Sequence, residues 1–269
     1  MKFSIVTISY NQAYFLEEAI LSVINQEHPN LEYIVVDPGS TDSSRCIIEK
    51  YRKNITQVIF ESDRGPADGL NNGFYSASGD VFGFLNADDT LLPGALSSAE
   101  KYLADNTDVD VVSGHAQVID SLGNVKRRFF SDKYRVAMAA YGSAILAQPS
   151  TFFRSEAFRQ CGGFNIQNQS NWDSELFLEM ALHGARFSLI NELWSQYRVH
   201  DESITGTGRL HGLHESHQKK MFERVKMRPM NRKDNATAFL LKYLRKALNL
   251  RDTIERVRFG PIFRSSASA

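Results

Sequence analysis

The chain has 269 residues, 42% hydrophobic and 23% charged, a composition that supports a packed core and excludes a disordered or fibrous protein. Two cysteines, Cys46 and Cys161, without metal-ligand spacing exclude a disulfide scaffold or a cysteine zinc site and point to a reducing, cytosolic compartment. The net charge of zero conceals polarity: residues 209–269 hold 15 basic against 5 acidic residues, a balance of +10, so the first 208 carry −10.

The first apolar run, Phe3 to Ile8, is short and rich in β-branched residues, as a buried parallel strand should be, and it is too short for a signal-peptide core. Leu16, Ile20, Val23 and Ile24 then recur at helical spacing up to a stop at Pro29-Asn30. Tyr33 to Val36 reads as a second strand, followed by the turn Asp37-Pro38-Gly39-Ser40 and a helix carrying Ile47, Ile48 and Tyr51, capped by Asp42 or Ser43. Val58 to Phe60, Ala67 to Ser78 and Val81 to Leu85 add a strand, a helix and a fourth strand. This alternation predicts an α/β fold with an open, mostly parallel sheet, whose ligands bind outside the carboxyl ends of its strands. Three loops lie there: Ser9 to Asn11, Asp37 to Asp42 and Asn86 to Thr90.

Beyond Pro93 the pattern predicts a helix to Leu103, strands near Val109 to Ile119 and Val125 to Phe129, and a helix from Trp172 to Gly184. Two further strands are expected at Arg186 to Ile190 and Leu193 to Val199. The longest uncharged stretch, Val136 to Phe153, is diluted by Gly142, Ser143, Gln148 and Pro149 and does not read as a membrane span. A basic, helix-prone tail begins near Thr205, so a core of residues 1–205 and an extension of 206–269 are expected.

Adjacent carboxylates at the end of a wholly apolar strand, in Asn86-Ala87-Asp88-Asp89, suit Mg²⁺ or Mn²⁺ shared with substrate phosphates; helix capping is the competing role. Gly39 allows close approach of a ligand, and Asp37 can accept from a base or ribose, although the same residues also make an ordinary turn. Arg64 can fork onto phosphate oxygens, while Asp68 and Asp173 each sit in a first helical turn where a carboxylate is favoured anyway. Asp173 is also a candidate general base. His200 stands just past the last strand, and His211, His214 and His217 read as surface residues.

In this order, Ser4 to Asn11, Val36 to Asp42, Asp63 to Asn71, Leu85 to Asp89, Gln148 to Phe153, Gly162-Gly163-Phe164 and Tyr197 to His200 resemble the family 2 glycosyltransferases with the GT-A fold, over about residues 3 to 205. Bacterial enzymes that build surface polysaccharides and lipopolysaccharide side chains are the most similar. The resemblance implies inverting transfer from a nucleotide-diphospho sugar, UDP-linked first and GDP- or dTDP-linked as alternatives, to a glycan or lipid-linked glycan. It implies that Asp88, with His200, holds a divalent cation (Mn or Mg), and that Asp173 is the base. It also implies that Tyr10, Asp37, Gly39 and Arg64 surround the nucleotide, together with Ser9, Asn11, Asp68, Asn86, Ala87 and Asp88 of the same loops. Gln148, Pro149, Ser150 and Trp172 are expected on the acceptor side, along with the region from Ser131 to Pro149. Asn86 and Pro38 stand where the family usually has aspartate, and Trp172 where it usually has glutamate.

Two other functions compete with this one. A nucleotidyltransferase would need a Gly-rich, basic phosphate loop after the first strand, which Ser9-Tyr10-Asn11-Gln12 does not offer. A non-catalytic nucleotide-sugar or partner-binding module would tolerate Asn86. The tail, with Phe239 to Leu248 interleaved with Lys242, Arg245 and Lys246, either folds over the acidic body or makes peripheral contact with anionic lipid at the inner face of the cell membrane. No nucleic-acid-reading motif accompanies its charge.

Overall fold

The computed structural model describes residues 1–201 and 211–262; the boundary expected at 205/206 lies outside them. Strand β1 (Phe3–Ile8) pairs in parallel with β2 (Leu31–Val36) and β4 (Val81–Asn86), and β2 with β3 (Gln57–Ile59). The register sets Ile8 opposite both Val36 and Asn86, and Val36 opposite Ile59. All four loops that follow these strands therefore leave from one edge.

Helices cover both faces of the sheet. Helices α1 (Ala13–Ile24), α2 (Ser44–Lys50) and α4 (Ala95–Asp105) bury Leu16, Ile20, Ile48, Leu96 and Leu103 against Phe3, Tyr33, Phe152 and Trp194. On the other face α3 (Pro66–Ser76), α6 (Ser155–Cys161) and α7 (Trp172–Leu182) bury Phe74, Phe158, Leu176 and Phe177 against Val6, Phe82, Phe84 and Phe153. Proline at the first position of α3 costs no hydrogen bond. Gly73 lets that helix approach β1: a Cβ there would lie 2.5 Å from a methyl of Val6.

The second half of the sheet is mixed. β8 (Thr151–Arg154) runs antiparallel to β4 and to β6 (Val111–Ile119); β6 pairs in parallel with β9 (Phe187–Arg198) and antiparallel with β7 (Val125–Phe129); and the two-residue β5 (Thr90–Leu91) closes onto β9. The two strands expected between Arg186 and Val199 are one, because the polar pair Asn191-Glu192 forms a bulge, across which His115 pairs with Leu193, rather than a turn.

Three helices follow: α8 (His211–Lys226), α9 (Arg232–Leu248) and α10 (Leu250–Phe259). Helix α8 buries Met221 and Phe222, the former in a cluster with Ala139 of α5 (Val136–Ala140) and Leu178 of α7. His217 is not a surface residue: it is buried and its Nδ1 lies 2.7 Å from Ser170 Oγ. His214 is exposed as expected. Among the described residues no helix is long and apolar enough to cross a membrane.

Candidate active site

The loops after β1 and β2 are stitched together. Asn11, at φ 52°, receives the Thr41 N–H on Oδ1 at 2.8 Å, and its own N–H donates to Ser40 Oγ. Asp42 accepts from the N–H of Ala13 at the start of α1 and from that of Ser44. Asp42 thus joins two loops rather than serving as a cap alone.

Asp37 is fully buried at the end of β2. Its Oδ1 accepts from the N–H groups of Gly39 and Ser40 and from Arg45 Nε, while Oδ2 has no partner among the described residues. Ser9 Oγ, at the end of β1, is likewise buried and unpartnered. Each such group costs about 1–3 kcal/mol unless something satisfies it. Gly39 adopts φ +142° and has open space where a Cβ would stand, as a loop that admits a ligand requires. Tyr10, between Ser9 and Asn11, is 60% exposed.

Arg64 and Asp68 hold each other by a two-pronged ion pair at 2.9 and 3.1 Å, and Asp68 also accepts the Arg64 N–H. The aspartate thus positions the exposed guanidinium. Asp63, which the sequence reading gave no role, orders the same loop by accepting the Gly65 N–H. Burial, and to a lesser degree the charges of Asp68 and Asp37, push its carboxyl above the usual range.

At the end of β4 the four-residue segment divides by burial. Ala87 is 2% exposed, with its methyl in the core and its N–H bonded to the Ile8 carbonyl, so its side chain offers no ligand contact. Asp89 is buried too; its Oδ1 accepts the Arg198 N–H at 2.9 Å, and burial, with the adjacent Asp88, pushes its carboxyl well up. Asn86 and Asp88 are the partly exposed members, and Asp88 Oδ2 lies 3.1 Å from His200 Nε2. Arg198, almost fully buried, makes this meeting happen. Its Nε donates to the Asp88 carbonyl at 2.8 Å, its Nη1 to the Asp120 carbonyl, and its Nη2 to Glu18, with the guanidinium over the Phe15 ring. The His200 ring packs on the same phenylalanine at 4.6 Å.

Asp173, in the first turn of α7, is half-buried; its Oδ1 accepts the Ser174 N–H at 2.7 Å, and burial raises its pKa above the usual carboxylate value. Glu175 is instead committed to Asn165 and Asn168. The residues expected on the acceptor side are interior. Trp172 packs between Phe84 and Phe164, Pro149 is buried, Gln148 donates to the Phe84 carbonyl, and Ser150 meets Ser195 Oγ and the His115 carbonyl. The turn Gln148–Ser150 leads straight into β8 inside the sheet. The Ser131 to Pro149 region contributes Asp132, Lys133 and Arg135 to a cavity of about 530 Å³ that Arg245 and Arg251 also line.

The sequence profile described as "Glycosyl transferase family 2" matches residues 4–162, which include the loops carrying Ser9, Asp37, Arg64 and Asp88. The chain belongs to that family. Among relatives of this glycosyl transferase family 2 member, an uncharacterized glycosyltransferase of Nostoc is 26% identical over 74% of the chain and 65% of its own length. The GalNAc(5)-diNAcBac-PP-undecaprenol beta-1,3-glucosyltransferase of Campylobacter jejuni is 33% identical over 48% of the chain and 42% of its own. The chain thus spans less than two thirds of either. Two solved structures share the GT-A fold. The mannosyltransferase PcManGT of Pyrobaculum calidifontis, in complex with GDP-Man and Mn²⁺, superposes with a TM-score of 0.65 at 20% identity, over 95% of this chain and 73% of that one. S. aureus TarS in complex with UDP-GlcNAc gives 0.64 at 18%, over 83% and 71%.

Proposed function

We propose that this family 2 protein is an inverting glycosyltransferase that moves a sugar from a nucleotide-diphospho donor to a hydroxyl of a glycan or lipid-linked glycan. The observation that carries the reading is the convergence, at one sheet edge, of the unpartnered Asp37 oxygen and the Asp88–His200 pair.

In this reading Asp37 Oδ2 and Ser9 Oγ bond the nucleoside, Tyr10 covers it, and Arg64, held by Asp68, meets the diphosphate. The nucleotide sugars bound by TarS and PcManGT support a donor of this class, with a uridine sugar the first candidate. Asp88 and His200 bring one oxygen and one nitrogen together, and among the described residues no cluster of three or more His, Cys, Asp or Glu forms. Two protein donors fit a Mn²⁺ or Mg²⁺ that fills its shell with water and diphosphate oxygens, and do not fit an all-protein cage. Such an ion, when bound, neutralises the leaving diphosphate. Asp173 accepts the proton of the attacking hydroxyl; a pKa raised by burial brings it closer to the operating pH, as a general base requires.

Calorimetric titration with UDP, GDP and dTDP in Mn²⁺ tests the donor site. Asp88→Ala should remove metal-dependent binding, whereas Asp173→Asn should bind as wild type and lose transfer by about 10²–10⁴-fold. Near wild-type transfer by Asp173→Asn would rule that base out. Asn86, whose amide nitrogen faces Asp89 and Gln148, favours a second reading as a binding module. That reading requires donor binding with no turnover.

A further inference from the structure

Helices α9 and α10 are amphipathic in the reverse of the usual sense. Between Arg232 and Phe259 the chain has eight basic and three acidic residues. All three acids, Asp234, Asp252 and Glu255, are buried and paired: with Arg228, with Arg127 and Arg245, and with Arg128. Arg245 and Asn249 also reach inward, to Asp132 at 2.5 and 2.8 Å. The segment is therefore fastened to the body through its polar groups, and the apolar stripe is left outside. Phe239, Leu240 and Tyr243 on α9, and Leu250, Ile254 and Val257 on α10, are each at least half exposed. Leu250, Ile254 and Val257 recur at i, i+4 and i+7, and Phe239 and Leu240 lie four and three residues before Tyr243, which makes one continuous face per helix. Lys242, Arg251, Arg256 and Arg258 are exposed on the same two helices.

An exposed apolar patch ringed by polar residues marks a binding surface, and the charge distribution selects the occupant. A second copy docked face to face would bring basic residues against basic residues, since every carboxylate of the segment is turned inward. An anionic bilayer supplies both an apolar layer for the stripe and counter-charge for the lysines and arginines. We infer that α9–α10 is a membrane-surface docking face that seats this protein on anionic lipid. This goes beyond the donor-site reading and is independent of it.

Sedimentation of the full chain with vesicles of phosphatidylcholine, alone or mixed with phosphatidylglycerol, tests the inference. Wild type should pellet with the anionic vesicles and stay in solution with the neutral ones. The triple variant Leu240→Ser, Tyr243→Ser, Ile254→Ser should lose pelleting, and each of Lys242→Glu and Arg258→Glu should lower partitioning at least about fivefold. All substituted side chains are exposed, so unchanged circular dichroism and unchanged UDP binding are expected. Wild type remaining in solution with anionic vesicles, or pelleting untouched by the triple substitution, overturns the inference. So does a dimer in light scattering that the triple variant abolishes without any vesicle binding.

Discussion

Arg198 shows how a single side chain can assemble a site it does not itself occupy. It is buried, and its cost is met by the carbonyls of Asp88 and Asp120 and by Glu18. Arg198→Ala should lose about 3 kcal/mol of stability in urea unfolding and weaken Mn²⁺-dependent UDP binding by uncoupling His200 from Asp88. Unaltered binding at a temperature where the variant is folded would show that the pair forms without it. Asp173 carries a pH prediction. Its folded pKa is raised, so the rate should climb with pH through a midpoint above the ordinary carboxylate value and then level off. The same sign makes ionised Asp173 a stability cost above its unfolded pKa. Asp173→Asn should therefore melt no lower than wild type at neutral pH, and any advantage should vanish in acid. Asp37 and Asp88 stood out in the sequence because they follow apolar strands at the edge where ligands of a parallel sheet bind, whereas Asp173 and His200, open to ordinary structural roles at a helix start and a strand end, stood out through the family resemblance. Arg198 had no assigned role because its role depends on contacts across the fold, 110 residues away for the Asp88 carbonyl, and Asp63 had none because a loop carboxylate bonded two residues on carries no distinctive pattern. Trp172 and Ser150 were expected on the acceptor side; that both are buried follows from the sheet position of their neighbours, which local pattern does not encode.

At the scale of elements, the four βα units were legible from periodicity because each strand is apolar on both faces and each helix on one. β5 and β8 were not, being two and four residues long and defined by their partners. Two fastenings have measurable weight. Glu32 ties β2 to β1 and to the turn before β4; burial opposes its charge, but Lys2, Ser4 and Ser78 outweigh that and bring its pKa from 4.5 to about 2. Its contribution is full above pH 4.5 and is lost as pH falls toward 2. Glu32→Gln should cost on the order of 2 kcal/mol at pH 7 and nothing near pH 2; an equal cost at both would mean that packing, not charge, is at stake. Arg127 is the second fastening, with its buried guanidinium on Asp252 and the Gly260 carbonyl holding α10 to β7. Arg127→Ala should release α10, read as faster amide exchange in residues 250–259 while β1 to β4 stay protected.

Over the whole molecule, the basic tail and acidic body visible in composition proved to be two uses of one charge asymmetry. Asp252 and Glu255 of the tail meet Arg127 and Arg128 of the body, Asp234 meets Arg228 within the tail, and the outward basic residues keep company with an apolar face. The edge proposed for the donor lies elsewhere, at the carboxyl ends of β1 to β4, where Asp88 meets His200. The most direct test of the central claim is nucleoside diphosphate release from a panel of UDP-, GDP- and dTDP-sugars, with Mn²⁺ or with chelator. Metal-dependent release from one nucleotide class by wild type, absent in Asp88→Ala, is the predicted result. Tight donor binding with no release from any sugar would contradict it.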